Sequence, residues 1–473
     1  MRILAPSRHR LPRHILPASR ALSYTPAART QATTDKNDWL DFLKTETPHT
    51  PESSGKALLF AGLGSYPHTP HAPTPSSLHL WEEASEALSS PDATIGYQPL
   101  RSADQVKGGL RSWVEGRSLV RLSPRLPFVE LTGAQDDLMK RPDITTSFIL
   151  ASSLAILKSE QERNGYDTLL PPEITHLAGH GFIGTLTALV AAGKLDLATG
   201  VRLARIYATL PPSPPGRNRP HLTTVLSARH FHSLSSPSFS VPPPTHYATS
   251  DDDPLPPLDA DDPASEEVKV GERQGRRRAM QLILDEIHGL EPQWAEHSQE
   301  GHEEWAEAGI INSSKVVVVS GTHDAVLQVI ERLQQLNLAN PVMDIHMPCP
   351  YHTKLMSHAV PNFRDVLDRC YFTKKPDGPV ILDTVTTKPI GNSASALLPH
   401  LTDQLRWHKT LVRLYSSPTP EVGTFYTVGR GAKGLGIMLR GELKRRLNGS
   451  APIHIEEMGV GPRDERLARA LRG

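Results

Sequence analysis

The sequence feature that most constrains the fold is a glycine-rich junction at residues 178–193, with the sequence AGHGFIGTLTALVAAG. The apolar run at residues 174–178 predicts a buried strand, and the Ala- and Leu-rich residues after the glycines predict a buried helix. A strand, a tight turn and a helix in this order form the outline of a nucleophile elbow, where a hydroxyl side chain is aimed into a cleft. The turn at residues 180–183, with the sequence HGFI, carries no hydroxyl side chain.

The same letters allow a second interpretation. Gly179, Gly181 and Gly184 match the G-x-G-x-x-G fingerprint of dinucleotide-binding proteins. That fingerprint expects an acidic residue about twenty positions later, at the end of a second strand. Asp196 is closer than that and begins a helical segment. A third interpretation is that the glycines only allow a helix and a strand to pack closely.

Six further segments, together with the junction, resemble the malonyl-CoA:acyl-carrier-protein transacylase family in that family's order. The junction itself resembles the family's GHSxGE elbow. The Ser of that elbow falls on Gly181 if Gly179 and His180 are aligned with the family's Gly-His, and on Phe182 if the helix is aligned without a gap; neither residue carries a hydroxyl. The segments are KALLFAGLGS at 56–65 (family FPGQGSQ), the Ser/Ala-rich helix at 138–160, WAEAGIINSSKVVVVSG at 305–321 (NxPxQVVISG), PCPYHTKLM at 348–356 (PFHSxLM), Gln404 to Trp407 (QLxxPVxW, with a shorter spacing here) and YTVGRGAKGL at 426–435 (VGPGxxL).

This resemblance implies an α/β fold, with a large parallel-sheet, hydrolase-like acyltransferase domain and an inserted ferredoxin-like α+β small domain. We expect the large domain at residues 55–218 and 348–460 and the small domain at 219–347. A linker at 35–54 and a tail at 461–473 complete the chain. Residues 233–267 are rich in Pro and Ser and then acidic, which predicts a disordered insertion.

Residues 1–34 differ in composition from the rest of the chain. Their Arg residues are accompanied by no Lys and no carboxylate before Asp35. An Arg-rich, Ser-bearing, acid-poor segment is typical of a mitochondrial or chloroplast presequence. We therefore predict a cleaved presequence and a location in the mitochondrial matrix. The alternative is an untargeted, disordered basic tail.

Composition excludes several classes of function. The 473 residues hold 51 Lys and Arg against 51 Asp and Glu, so no basic surface predicts a nucleic-acid partner. The two cysteines, Cys349 and Cys370, form neither a disulfide framework nor a metal-ligand spacing. No apolar run reaches the roughly 18 residues of a membrane span. We expect no metal and no cofactor, with the coenzyme A thioester entering as substrate.

The resemblance also assigns roles to individual residues. His352 is the candidate general base, and Gly181 occupies the nucleophile position without a hydroxyl. Backbone N–H groups near Leu63 and Phe182 are the expected oxyanion donors. Tyr207 stands where the family has the Arg that grips the malonyl carboxylate. Asn312 and Gln404 are assigned to substrate binding, and Gln404 is expected to help hold the histidine.

Two hypotheses about function follow from these assignments. The first is malonyl transfer from coenzyme A to acyl-carrier protein in mitochondrial fatty-acid biosynthesis. It requires a substitute nucleophile among Ser65, Thr185 and Thr187, with Cys349 as a further candidate, or direct transfer assisted by His352. The second is a catalytically inactive homologue that binds the carrier protein or coenzyme A. The sequence leaves open whether the protein is an enzyme.

Overall fold

The computed structural model describes residues 55–63, 73–99, 141–217, 219–229, 266–297, 304–373, 378–415, 422–429, 433–444 and 453–458. The predicted presequence, linker and tail lie outside these ranges. So do Ser65 and nearly all of the predicted insertion at 233–267.

The described part of the chain alternates strands with helices. In chain order the strands are β1 (Gly55–Phe60), β2 (Ile174–Gly179), β3 (His221–Ala228), β4 (Ala306–Ile311), β5 (Val316–Thr322), β6 (Ala339–Asp344), β7 (Val380–Leu382), β8 (Val422–Val428) and β9 (His454–Met458). The α-helices are α1 (Pro75–Ser89), α2 (Pro142–Asn164), α3 (Gly181–Ala191), α4 (Leu197–Ala208), α5 (Glu266–His297), α6 (His323–Gln335), α7 (Val360–Leu367), α8 (Trp407–Tyr415) and α9 (Lys433–Leu443). Two 3-10 helices span Lys354–Ala359 and Ala394–His400.

The larger sheet is parallel and has the strand order β7-β2-β1-β8-β9. Its central strand β1 has the sequence GKALLF, of which the last four residues are fully enclosed. A continuous apolar run of this kind is expected where helices cover both faces of a parallel sheet. The helix α3 packs directly against β2 and β1, so the turn between β2 and α3 lies at the carboxyl edge of the sheet, where ligands of open α/β sheets bind.

The smaller sheet is antiparallel and has the order β4-β5-β3-β6. With α5 after β3 and α6 after β5, the chain follows the βαββαβ path of ferredoxin-like domains. Its own apolar core includes Ile283, Trp294, Val317 and Val329. The strands of this sheet occupy residues 221–344, within the range 219–347 that the sequence predicts for the small domain.

The expected fold class is confirmed, since a parallel sheet and a separate antiparallel sheet are both present. The main difference from expectation is the length of α5. The sequence predicts a helix near residues 280–290, whereas α5 has 32 residues and starts at Glu266. The last two residues of the predicted insertion therefore belong to a helix. None of the helices in the described ranges is both long and apolar enough to cross a membrane.

Candidate active site

The junction between β2 and α3 has the geometry of a nucleophile elbow centred on Gly181. Gly181 has φ +65°, a left-handed conformation that glycine adopts readily and other residues rarely do. A Cβ built on Gly181 would lie 3.9 Å from His352 Nε2 and 3.4 Å from Leu405 Cδ1. The direction in which a side chain would leave Gly181 therefore points at the candidate base. This resolves the choice between Gly181 and Phe182 in favour of Gly181.

The remaining glycines of the junction have a packing role. A Cβ on Gly179 would come within 2.1 Å of backbone atoms of Gly184, and one on Gly184 within 2.9 Å of Gly179. Strand and helix approach too closely there for any side chain. Asp196 is the N-cap of α4, where its carboxylate accepts hydrogen bonds from the backbone N–H and the hydroxyl of Thr199. The glycines and Asp196 thus have structural roles, and Asp196 is not the acidic residue at a strand end that the dinucleotide interpretation requires.

The His352 side chain is fixed by contacts on both its backbone and its ring. Its φ of +61° is unusual for a residue with a Cβ. The backbone N–H donates to Leu401 O at 2.8 Å, and ring Nδ1 lies 3.1 Å from Asp403 O. A carbonyl oxygen can only accept, so Nδ1 carries the proton and Nε2 presents a lone pair toward Gly181. Burial, followed by the charge of nearby His400, lowers the pKa of His352 to about 3, which keeps the ring neutral near pH 7.

Gln404 does not hold the histidine, contrary to the sequence-based expectation. Its side-chain Nε2 donates to Ala308 O in β4 at 2.8 Å. The carbonyl that orients His352 belongs to the preceding residue, Asp403. Gln404 therefore contributes indirectly, because it ties the segment that carries Asp403 to the edge of the small sheet.

A buried Asp–His pair lies behind His352 and was missed by sequence reasoning. His400 Nε2 and Asp383 Oδ1 are 2.9 Å apart, and the two side chains are 0% and 3% exposed. Burial acts to raise the pKa of Asp383, but the hydrogen bonds from His400 and from Thr386 outweigh it and hold the pKa below its usual value. The His400 ring centroid is 6.1 Å from that of His352.

The spacing of one motif could have revealed His400. In the family pattern QLxxPVxW, the Gln precedes the Trp by seven positions. Counting back seven positions from Trp407 reaches His400 rather than Gln404. The apparent shortening of the motif comes from choosing the wrong residue as its first position.

Tyr207, which the resemblance puts at the position of the family's carboxylate-binding Arg, is part of a stack of aromatic rings. Tyr207 lies between Phe182 and Tyr351, with ring centroids 4.1 Å and 4.2 Å away and interplanar angles of 10° and 12°. The Tyr207 hydroxyl donates to His400 O at 3.2 Å. Arg205 points elsewhere, toward the Tyr97 hydroxyl at 2.8 Å. Among the described residues, Arg205 therefore does not supply a bidentate fork to this part of the site.

The opposite side of the site is formed by the loop after β1 and by Asn312 of the small domain. A Cβ on Gly62 would lie 1.9 Å from His180 O, so the backbone before Leu63 touches the elbow. Phe182 belongs to the first turn of α3, whose N–H groups have no acceptor within the helix. The His180 ring donates from Nε2 to Asn312 Oδ1 at 2.7 Å, which anchors Asn312 to the elbow. Both expected oxyanion donors therefore belong to segments that adjoin the elbow.

The candidate substitute nucleophiles in the described ranges are engaged elsewhere. The Thr185 and Thr187 hydroxyls donate to Gly179 O at 3.1 Å and Ile183 O at 2.7 Å, and both residues are fully buried. Cys349 Sγ lies 3.1 Å from Leu210 O, and burial raises the pKa of this thiol to about 11. None of these three side chains has the geometry of a nucleophile activated by His352.

The described residues therefore bring together Gly181, Phe182, Leu63, Asn312 and His352 around one turn. They place a neutral histidine with a fixed tautomer beside the elbow. No group of three potential metal ligands occurs in the ranges that the structure describes. None of these five side chains carries a hydroxyl or a thiol, and the candidate Ser65 lies outside the described residues.

Comparison with known proteins agrees with this geometry. No protein-family model and no curated protein matches the sequence. Among solved structures, the malonyl-CoA:acyl carrier protein transacylase from Xanthomonas oryzae pv. oryzae is 16% identical, with a TM-score of 0.54 over 89% of this chain and 99% of that one. The corresponding transacylase from Coxiella burnetii is also 16% identical, with a TM-score of 0.53 over 90% and 98%. A malonyl-transacylase in complex with its type II polyketide synthase acyl-carrier protein is 18% identical, with a TM-score of 0.52 over 88% and 100%. The chain thus has the transacylase fold.

Proposed function

We propose that the protein transfers an acyl group from coenzyme A to the thiol of an acyl-carrier protein, without passing the group to one of its own side chains. The observation that carries this proposal is the 3.9 Å approach of His352 Nε2 to the Cβ position of Gly181. A base is aimed at the place of the nucleophile, and the nucleophile must then arrive with a substrate.

The carrier's thiol is the chemical group that suits this place. His352 Nε2 takes the proton of the thiol, and the resulting thiolate attacks the carbonyl carbon of the acyl-coenzyme A. The bond between that carbon and the coenzyme A sulfur breaks, and the departing thiolate receives the proton from His352. Negative charge on the carbonyl oxygen during this step would be stabilised by N–H groups beside Leu63 and Phe182.

The fold similarity suggests malonyl as the acyl group and fatty-acid biosynthesis as the process. The surroundings of Tyr207 favour an uncharged acyl group over one with a carboxylate, since Tyr207 stacks on Phe182 and the nearby Arg205 points toward Tyr97. A place in the mitochondrial matrix is supported by the composition of residues 1–34. Import into isolated mitochondria, followed by sequencing of the new N-terminus, would test that location.

Initial-rate kinetics with holo-carrier protein tests the proposed reaction. Direct transfer needs both substrates bound together, so reciprocal plots at several carrier concentrations should intersect. Parallel lines, the sign of a covalent acyl-enzyme, would contradict direct transfer. The His352→Gln variant should lose roughly 10²–10⁴-fold in rate. The control is His79→Gln, because the His79 side chain is 79% exposed on α1.

A second candidate function is a non-catalytic partner of the carrier protein. The specific observation in its favour is the dense aromatic stack of Phe182, Tyr207 and Tyr351 where the family binds its acyl group. This alternative predicts measurable binding of holo-carrier protein by calorimetry with no transfer of acetyl or malonyl groups. Transfer that depends on His352 would exclude it.

A further inference from the structure

We propose that the Gly181 site also hydrolyses acyl thioesters, with a water molecule in the place that a nucleophilic side chain has in an elbow. The inference rests on the proposed function, because the thioester must reach the same carbonyl position. Its basis is the space that Gly181 leaves beside His352. Apart from the helix's own backbone and the chain neighbours His180 and Phe182, the described atoms within 4 Å of the Cβ position are Leu405 Cδ1 at 3.4 Å and His352 Nε2 at 3.9 Å.

This space has one polar wall that remains available to a ligand. Within the described ranges, the hydrogen bonds of His352 involve its backbone N–H and ring Nδ1, and Nε2 has no partner. The residue as a whole is only 3% exposed. A water molecule bound beyond the Cβ position would donate a hydrogen bond to Nε2.

The fixed tautomer makes His352 suitable for activating that water. Asp403 O holds the Nδ1 proton, so Nε2 stays an acceptor. A general base must lie within about 2.6–3.2 Å of the atom whose proton it takes, so the attacking water must bind within that distance of Nε2.

The chemical step balances with water as the only co-substrate. Nε2 takes one proton from water as the water oxygen bonds to the thioester carbonyl carbon. The bond between carbon and sulfur then breaks, and the thiolate takes the proton from Nε2. The products are a carboxylic acid, which ionises in solution, and a free thiol. No electron donor or acceptor and no enzyme-bound acyl group is needed.

The surroundings of the site favour thioesters of short, uncharged acyl groups. The ring of Phe182 is held against Tyr207 and, at 5.5 Å, against Phe363. These aromatic faces offer no cation to a carboxylate. Acetyl-coenzyme A is therefore the appropriate probe, and malonyl-coenzyme A should be the poorer substrate.

The test measures coenzyme A release from acetyl-coenzyme A by chromatography, with the full-length protein and no carrier present. Wild type and His79→Gln should release coenzyme A at equal rates above the rate without enzyme. His352→Gln should lower the rate roughly 10²-fold or more, because the base is removed. Gly181→Ala should lower it similarly, because its methyl group fills the place of the water. Circular dichroism checks that each variant is folded. If His352→Gln is unfolded, the rate of coenzyme A release by Gly181→Ala tests the inference on its own.

The outcomes separate this inference from the proposed function. Absence of coenzyme A release by wild type, with transfer to holo-carrier protein intact, overturns hydrolysis and leaves the transferase proposal standing. Absence of both reactions overturns both proposals. Release that persists unchanged in Gly181→Ala, or an acetyl adduct on the wild-type protein by intact mass, overturns the assignment of the attacking water to this site.

Discussion

Restoring a hydroxyl at the elbow should convert the protein into an enzyme that forms a covalent acyl intermediate. Gly181→Ser places its Cβ 3.4 Å from Leu405 Cδ1, an ordinary contact, and 3.9 Å from His352 Nε2. One bond further out, the hydroxyl can reach the roughly 2.6–3.2 Å that proton transfer requires. The backbone at φ +65° costs a non-glycine residue about 1–3 kcal/mol, which a domain of this size tolerates.

The gain should be visible as a mass shift and as a rate. After incubation with acetyl-coenzyme A, Gly181→Ser should carry one acetyl group by intact mass spectrometry. Adding His352→Gln should slow that acetylation roughly 10²–10⁴-fold, since an unassisted serine is a weak nucleophile. Gly181→Ala is the matched control, because it has the same backbone strain and no hydroxyl. If Gly181→Ser is folded and remains as unreactive as Gly181→Ala, the elbow assignment is wrong.

Three other perturbations test the packing and the charges around the site. Tyr207→Phe should lower the free energy of unfolding by about 0.5–1.5 kcal/mol, because the hydrogen bond to His400 O is lost. Tyr207→Ala should lower it by about 3–5 kcal/mol, because the ring is lost as well. Equal urea midpoints for the two variants would contradict the stacked geometry. Asp383→Ala should cost about 3–5 kcal/mol because it leaves buried His400 without its partner, and Asp383→Asn should cost less because its oxygen still accepts. Stability should fall as pH drops from 6.5 toward 3, since His352 stays neutral in the fold while the unfolded chain takes up a proton. The slope from this one group is up to about 1.4 kcal/mol per pH unit, and His352→Gln should flatten the urea midpoint plotted against pH.

The sequence predicts those parts of the site that depend on local pattern. An apolar strand, a glycine turn and an apolar helix determine the elbow, because each element is specified by its own residues. The Pro-bearing turn around His352 likewise stands out in the sequence. Gly181 was one of two possible nucleophile positions, and only its positive φ and the direction of its missing Cβ decide between them.

The remaining features depend on contacts between distant segments. The pairing of His400 with Asp383 joins a 3-10 helix to the turn after β7. No periodicity marks either residue as a member of a pair. The stack of Phe182 on Tyr207 requires the direction of two side chains on two different helices. The sequence shows that the Arg position is substituted, but it does not show that the tyrosine ring stacks between two other rings in that place.

The central claim is that the base is intact and the nucleophile comes with a substrate. The most direct test mixes wild-type protein, acetyl-coenzyme A and holo-carrier protein, and records the intact masses of both proteins during turnover. We expect the carrier to gain one acetyl group while the wild-type chain keeps its unmodified mass at every time point. An acetyl adduct on the wild-type chain that forms and decays as the carrier is acylated would contradict the account, because it would show that the protein supplies a nucleophile of its own.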